Sequence, residues 1–181
     1  MTDVLWHCGA LRSSEFAVVD ESADGWRVRG TAALERGGRP CLVTYEVVAD
    51  ADWTTTAASA VVESGTSTMR IELTAHAGRW QRAGLAMPEL QGCTDVDLGW
   101  TPSTNTLPIR RLASTAGEQG TRVALLRFPE LELVAAEQTY ERLAADRWRF
   151  AMDDFSAELV VDPVTGLVRE YGDDLWRGLS A

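Results

Sequence analysis

Asp95 and Asp97, the run Ser103 to Thr106, and the adjacent Arg110 and Arg111 fall within one stretch, GCTDVDLGWTPSTNTLPIRRL at residues 92–112. Carboxylates separated by one residue suit more than one kind of work. On a strand, alternate residues share a face roughly 6.6 to 6.8 Å apart, inside the ~5 to 9.5 Å window of glycosidase pairs. Side chains on one strand face project side by side, however, whereas a glycosidase pair flanks the bond it breaks. DVD is also a DxD triplet of the kind that holds a metal in sugar-nucleotide transferases, but those enzymes set it in an α/β sheet. A third use needs no ligand: one arginine clamps an aspartate through two parallel hydrogen bonds, and the hydroxyls of the loop bond their own backbone. The pattern leaves a bonded hairpin, a ligand-facing polar rim and a catalytic pair open.

Composition removes several alternatives. The 181 residues carry a formal charge of -10, and all 17 basic residues are arginine. Without lysine there is no Schiff-base or phosphate-loop chemistry, and an acidic surface lacks the basic stripe that nucleic acid requires. Cys8, Cys41 and Cys93 are scattered, only His7 and His76 are histidines, and no CxxC or HExxH spacing exists, so neither a metal nor another cofactor is expected. Cys93 could act as a nucleophile only with a distant histidine; the neighbouring aspartates would raise its pKa, which favours a small buried residue. GxSxG, GxGxxG and phosphate-loop motifs are missing. The N-terminal MTDVLWHCGALRSSEF has no basic region followed by an apolar run, and nothing downstream approaches a membrane span. The cytoplasm, and a reducing one given the odd thiol count, is the expected location.

The elements that must position the stretch are strands. In GWRVRGTAALE, Trp26, Val28, Gly30, Ala32 and Leu34 alternate with polar residues; MRIELTAH, RWRFAMD and FSAELVVD repeat the pattern. SADG, RGGRP, HAG and DPVTG separate the runs and predict short antiparallel connections. The chain reads as one domain over residues 1–181, with no linker or repeat. Residues 129–146, PELELVAAEQTYERLAAD, fit helix and strand about equally. Within the opening stretch, Val96, Leu98 and Trp100 face away from Asp95 and Asp97. A loop follows between Pro102 and Pro108, and a second strand is predicted from Ile109 to Leu112, with Arg110 and Arg111 facing opposite ways.

Seven tryptophans spread through the chain fit a filled core. They also fit a sheet curled around an apolar ligand with polar groups at its mouth.

The stretch 92–112, with VTYEVVADADW upstream, RW at 79–80 and ELVVDPVTGLVREYGDDLWRG near the C-terminus, resembles the prokaryotic family described as putative glycolipid-binding. The resemblance implies an all-β fold, an antiparallel spiral β-roll or open half-barrel with a concave apolar face. It is similar to the open barrels of bacterial lipoprotein carriers, although this chain shows neither their export signal nor their lipid-anchored cysteine. It also makes residues 129–146 strand and turn. The implied ligand is an amphiphilic small molecule such as a glycolipid, bound without catalysis. The resemblance carries no established site residues, so the candidates follow from chemistry: Asp95, Asp97, Thr101, Asn105, Thr106, Arg110 and Arg111 for the polar head, with Tyr45, Trp53, Trp80 and Trp100 as the aromatic set. The alternatives are an enzyme acting on a glycoconjugate through Asp95 and Asp97, and a partner-binding β-domain that associates through exposed strand edges.

Overall fold

The computed structural model describes residues 1–10, 12–172 and 175–179. Fifteen strands form one sheet. The first eight are β1 (Thr2–Cys8), β2 (Ser13–Ser22), β3 (Gly25–Arg36), β4 (Arg39–Ala49), β5 (Thr55–Ser64), β6 (Ser67–His76), β7 (Arg79–Arg82) and β8 (Leu85–Ala86). A short 3-10 turn, Pro88–Leu90, leads to β9 (Asp95–Leu98). A second 3-10 turn, Ser103–Asn105, runs directly into the helix α1 (Thr106–Arg111). The chain ends with β10 (Glu118–Leu126), β11 (Leu133–Arg142), β12 (Arg147–Met152), β13 (Phe155–Val161), β14 (Val168–Tyr171) and β15 (Trp176–Leu179).

The strand order is β8-β7-β6-β5-β4-β3-β2-β1-β15-β14-β13-β12-β11-β10-β9. Thus β1 pairs with β15, placing the two ends of the chain side by side within the sheet. Neighbours are antiparallel except β9 and β10, which run parallel. The sheet curls until its β9 end meets the first half. The Val96 amide donates to Thr55 Oγ1 at 3.1 Å, the Trp80 indole donates to the Cys93 carbonyl at 2.9 Å, and the Gly92 amide donates to the Gly78 carbonyl at 2.9 Å. Among the described residues no strand ladder closes the gap at β9, so the result is an open barrel.

The alternation of the sequence maps onto this curl. Val28, Ala32 and Leu34 on β3, Ile71 and Leu73 on β6, Trp148 and Phe150 on β12, and Ala157, Leu159 and Val161 on β13 are all buried inside. Each strand stays extended because its β-branched or aromatic residues pack on that face while the opposite phase meets water. Gly37 and Gly38, both at positive φ, form the two-residue loop between β3 and β4. Gly30 has another role: a Cβ there would sit 2.5 Å from the Tyr45 hydroxyl. The glycine lets the Tyr45 ring lie across β3, where the two residues are in register. Residues 129–146 hold strand β11, as the family resemblance implied.

One expectation fails. Ile109 to Leu112 is not a strand; residues 106–111 are helical, and every residue from Thr101 to Ile109 is buried inside the curl. The expected mouth loop is an internal plug. A segment enclosed by the sheet has no free edge to pair with, and a helix satisfies its backbone groups locally. Pro108 falls in the first turn of α1, where its missing N–H leaves no gap.

Candidate functional site

The plug touches two walls of the barrel. Toward β2 and β4, the Tyr45 hydroxyl donates to Glu15 Oε1 and lies 2.7 Å from Ser103 Oγ, while Thr101 Oγ1 donates to the same Glu15 oxygen at 2.7 Å. Glu15 is buried, its other oxygen has no partner among the described residues, and burial pushes its carboxyl up to about 7. The same burial, together with the Glu15 charge, raises the Tyr45 phenol well above its ordinary range.

Toward β11 the arrangement is a directed chain. The Asn105 amide nitrogen donates to the Tyr140 oxygen at 2.8 Å, Tyr140 donates to Gln138 Oε1 at 3.2 Å, and Gln138 Nε2 donates to Asp97 Oδ2 at 2.6 Å. Thr104 Oγ1 donates to Asp97 Oδ1 at 2.9 Å. Among the described residues no arginine pairs with Asp97. Burial raises its carboxyl, and the hydrogen bonds from Thr104 and Gln138 only partly offset that. The Tyr171 phenol is also held above its ordinary range, first by burial and then by the charge of Asp97.

A cavity of about 240 Å³ opens beside this second wall. Asp97, Thr101 and Asn105 line its polar part, and Phe150, Met152, Phe155, Tyr171 and Trp176 its aromatic and aliphatic part. Phe150, Phe155 and Tyr171 form a triangle with centroids 6.0 to 6.3 Å apart. Phe155, 41% exposed, marks the outer end.

The other predicted residues go elsewhere. Asp95 is 1% exposed and held by Arg111 through two bonds of 2.9 and 2.6 Å, the clamp that a ligand-free hairpin would have used. Arg111 also reaches the Trp53 carbonyl at 3.2 Å. Arg110 lies over the Trp53 ring at 5.1 Å, and Trp53 stacks on Trp26 with centroids 4.2 Å apart. Trp80 ties β7 to Cys93, and Trp100 packs edge-on between Tyr45 and Phe128. The Thr106 hydroxyl is buried with no protein partner. Tyr45 belongs to the Glu15 wall. Of the eleven candidates, the structure gathers Asp97, Thr101 and Asn105 at the cavity.

Sequence reading missed Glu15, Gln138 and Tyr140, as well as the cavity aromatics Phe150, Phe155, Tyr171 and Trp176. A signal existed for the polar three. Glu15 shares the inward phase of β2 with Ala17 and Val19, and Gln138 shares that of β11 with Tyr140. A polar residue on the buried phase of a strand requires a partner inside.

The fold is an open, mostly antiparallel β-barrel with an internal plug and an aromatic-walled cavity beside it. The profile of the putative glycolipid-binding family matches residues 3–177, and the chain belongs to that family. The crystal structure of a DUF1089 family protein from Pseudomonas aeruginosa is 33% identical, with a TM-score of 0.81, covering 91% of this chain and 92% of that one. A β-barrel-like protein of the DUF1849 domain family from Brucella abortus is 14% identical with a TM-score of 0.54, covering 99% and 93% respectively, and shares the fold. No functionally curated protein matches the sequence. Among the described residues, no helix is long and apolar enough to cross a membrane, and no group of three metal-ligating side chains occurs.

Proposed function

We propose that the protein holds one amphiphilic ligand of the glycolipid kind, head inward, and performs no chemistry on it. The polar head meets Asp97 and Asn105, and the chain leaves past Phe150 and Phe155. One observation carries this reading. Of two aspartates one residue apart, Asp95 is closed by Arg111, while Asp97 keeps its carboxylate open to an aromatic-walled cavity. A half-buried carboxylate with hydrogen bonds but no cationic partner among the described residues is costly to the fold, and a ligand that meets it supplies a reason for its presence. The family's description supports the ligand class.

The volume also bears on the pose. About 240 Å³ is below the ~300 to 1,000 Å³ of sites that enclose a drug-sized ligand, so the cavity takes a head and the first methylenes. The enzyme alternative requires Asp95 and Asp97 to face one reacting group. Asp95 does not line the cavity, and its oxygens are engaged by a guanidinium.

Native mass spectrometry of protein purified without detergent, with organic extraction of the same sample, tests the proposal. The expected result is a reproducible adduct in the lipid mass range. It should weaken in Ala10→Trp, which places a bulky side chain on an exposed residue of the cavity lining. A clean apo mass, together with no uptake of any added decyl-chain amphiphile, would overturn it.

A further inference from the structure

The geometry points to a more specific head group: the polar end of the cavity is built for a protonated amine, a primary ammonium carried on the amphiphile. This rests on the proposed binding role and goes beyond it by naming the chemistry that is recognised.

The argument starts from the direction of the hydrogen bonds. A carboxylate can only accept, so Asp97 fixes the Gln138 amide with its nitrogen toward Oδ2. The Gln138 oxygen then accepts from Tyr140, and Tyr140, its proton committed, accepts from the nitrogen of Asn105. The amide of Asn105 is therefore oriented with its nitrogen toward Tyr140, and its oxygen has no partner among the described residues. Thr101 commits its proton to Glu15. Around Asp97 and Asn105, the side chains of Thr101, Thr104, Gln138 and Tyr140 already donate elsewhere. Asp97 and Asn105 present acceptors, and Asp97 retains lone pairs beyond its two bonds because a carboxylate offers about four sites.

Charge and shape favour a cation over a neutral polyol. Asp97 has no guanidinium partner among the described residues, unlike Asp95. Phe150, Phe155, Tyr171 and Trp176 line the same cavity, and aromatic faces attract a cation within about 6 Å of their centroids. Tyr171 stays neutral, since its phenol is pushed upward. The formal charge of -10 draws cations toward the protein before any contact forms.

Calorimetric titration with three probes sharing one tail, decylamine, N-decylacetamide and decyl glucoside, each below its micelle concentration, provides the test. Decylamine is expected to bind at least ten-fold more tightly than the other two. Asp97→Asn should abolish that preference, bringing decylamine to the affinity of N-decylacetamide. The acetamide removes the charge from the ligand side, so the comparison holds even if the variant folds poorly. Glucoside or acetamide binding as tight as the amine, or an amine preference that survives in folded Asp97→Asn, would overturn the head-group assignment but leave the binding role standing. Failure of all three probes to bind would overturn both.

Discussion

One buried segment, residues 101–109, is gripped on two sides, and only one side leaves room. On the β2 and β4 wall, Glu15, Tyr45, Thr101 and Ser103 close on each other. On the β11 wall, Asp97, Gln138, Tyr140 and Asn105 are equally well bonded but border a cavity. Both walls bury a carboxylate without an arginine. The difference is one of space, and it separates a carboxylate that locks the plug in place from one left facing an open cavity. Asp95 completes the contrast: the same residue type, two positions from Asp97, receives a guanidinium and no cavity.

The largest effect should come from breaking that pair. Arg111→Ala would leave Asp95, 1% exposed, charged and without a counter-charge, with the Thr55 backbone hydrogen bond as its remaining support. Removing one member of a buried pair typically costs about 3 to 5 kcal/mol. Because the Arg111 side chain is itself 20% exposed, a loss near ~3 kcal/mol is expected in denaturant unfolding, equivalent to roughly 6 to 12 °C for a chain of this size. The double variant Arg111→Met, Asp95→Leu should recover most of the loss. If Arg111→Ala alone is neutral, the two aspartates do not differ energetically and the contrast between them collapses.

The Glu15 wall should reveal itself through pH. Its carboxyl is raised from 4.5 to about 7, so the folded state disfavours the ionised form. Stability from this group is fully present below about pH 4.5 and is lost as pH rises through about 7. A shift of this size, in which the hydrogen bonds from Tyr45 and Thr101 already offset part of the burial cost, corresponds to about 3 kcal/mol. Glu15→Gln keeps an acceptor for those hydroxyls and cannot ionise. Its unfolding free energy should match that of wild type near pH 4 and exceed it by ~2 to 3 kcal/mol at pH 8. Parallel pH profiles for the two proteins would show that Glu15 does not titrate in this window.

How much of this could be read from the chain alone follows the periodicity. Val28, Ala32 and Leu34, or Ile71 and Leu73, declare an inward face because period two is a local property of a strand. The fate of residues 101–112 is not local. Whether TPSTNTLPIRRL becomes a hairpin or a plug depends on the sheet curling until β9 reaches Thr55 and Cys93 reaches Trp80. Those contacts span 41 and 13 residues. Asp97, Thr101 and Asn105 were legible as chemistry, and the Arg111 clamp on Asp95 was legible as a possibility. The aromatic wall was not, because Phe150, Phe155, Tyr171 and Trp176 come from four strands, and only the fold makes them neighbours. Gln138 and Glu15 lay in plain view on the buried phase, where a polar residue in an apolar alternation marks an internal partner.

The smallest expected effect on stability belongs to Asp97→Asn, and it tests the contrast from the opposite side. Burial raises the Asp97 carboxyl, so, as with Glu15, ionisation on going to neutral pH works against the fold. The asparagine removes that penalty and keeps both contacts. Its oxygen can accept from Gln138, and its nitrogen then meets Thr104 Oγ1, a hydroxyl able to accept. Unfolding free energy at pH 8 should therefore stay within ~1 kcal/mol of wild type, on the stabilising side, since hydrogen bonds to a charged group are worth only about 1.5 to 3 kcal/mol before the desolvation they offset. A loss above ~2 kcal/mol would make Asp97 a second lock on the plug, equivalent to Glu15 in role, and the cavity beside it a packing gap. A neutral result, set beside the destabilisation expected from Arg111→Ala, would show that two aspartates on one four-residue strand are held for different purposes, one for the fold and one for what enters the cavity.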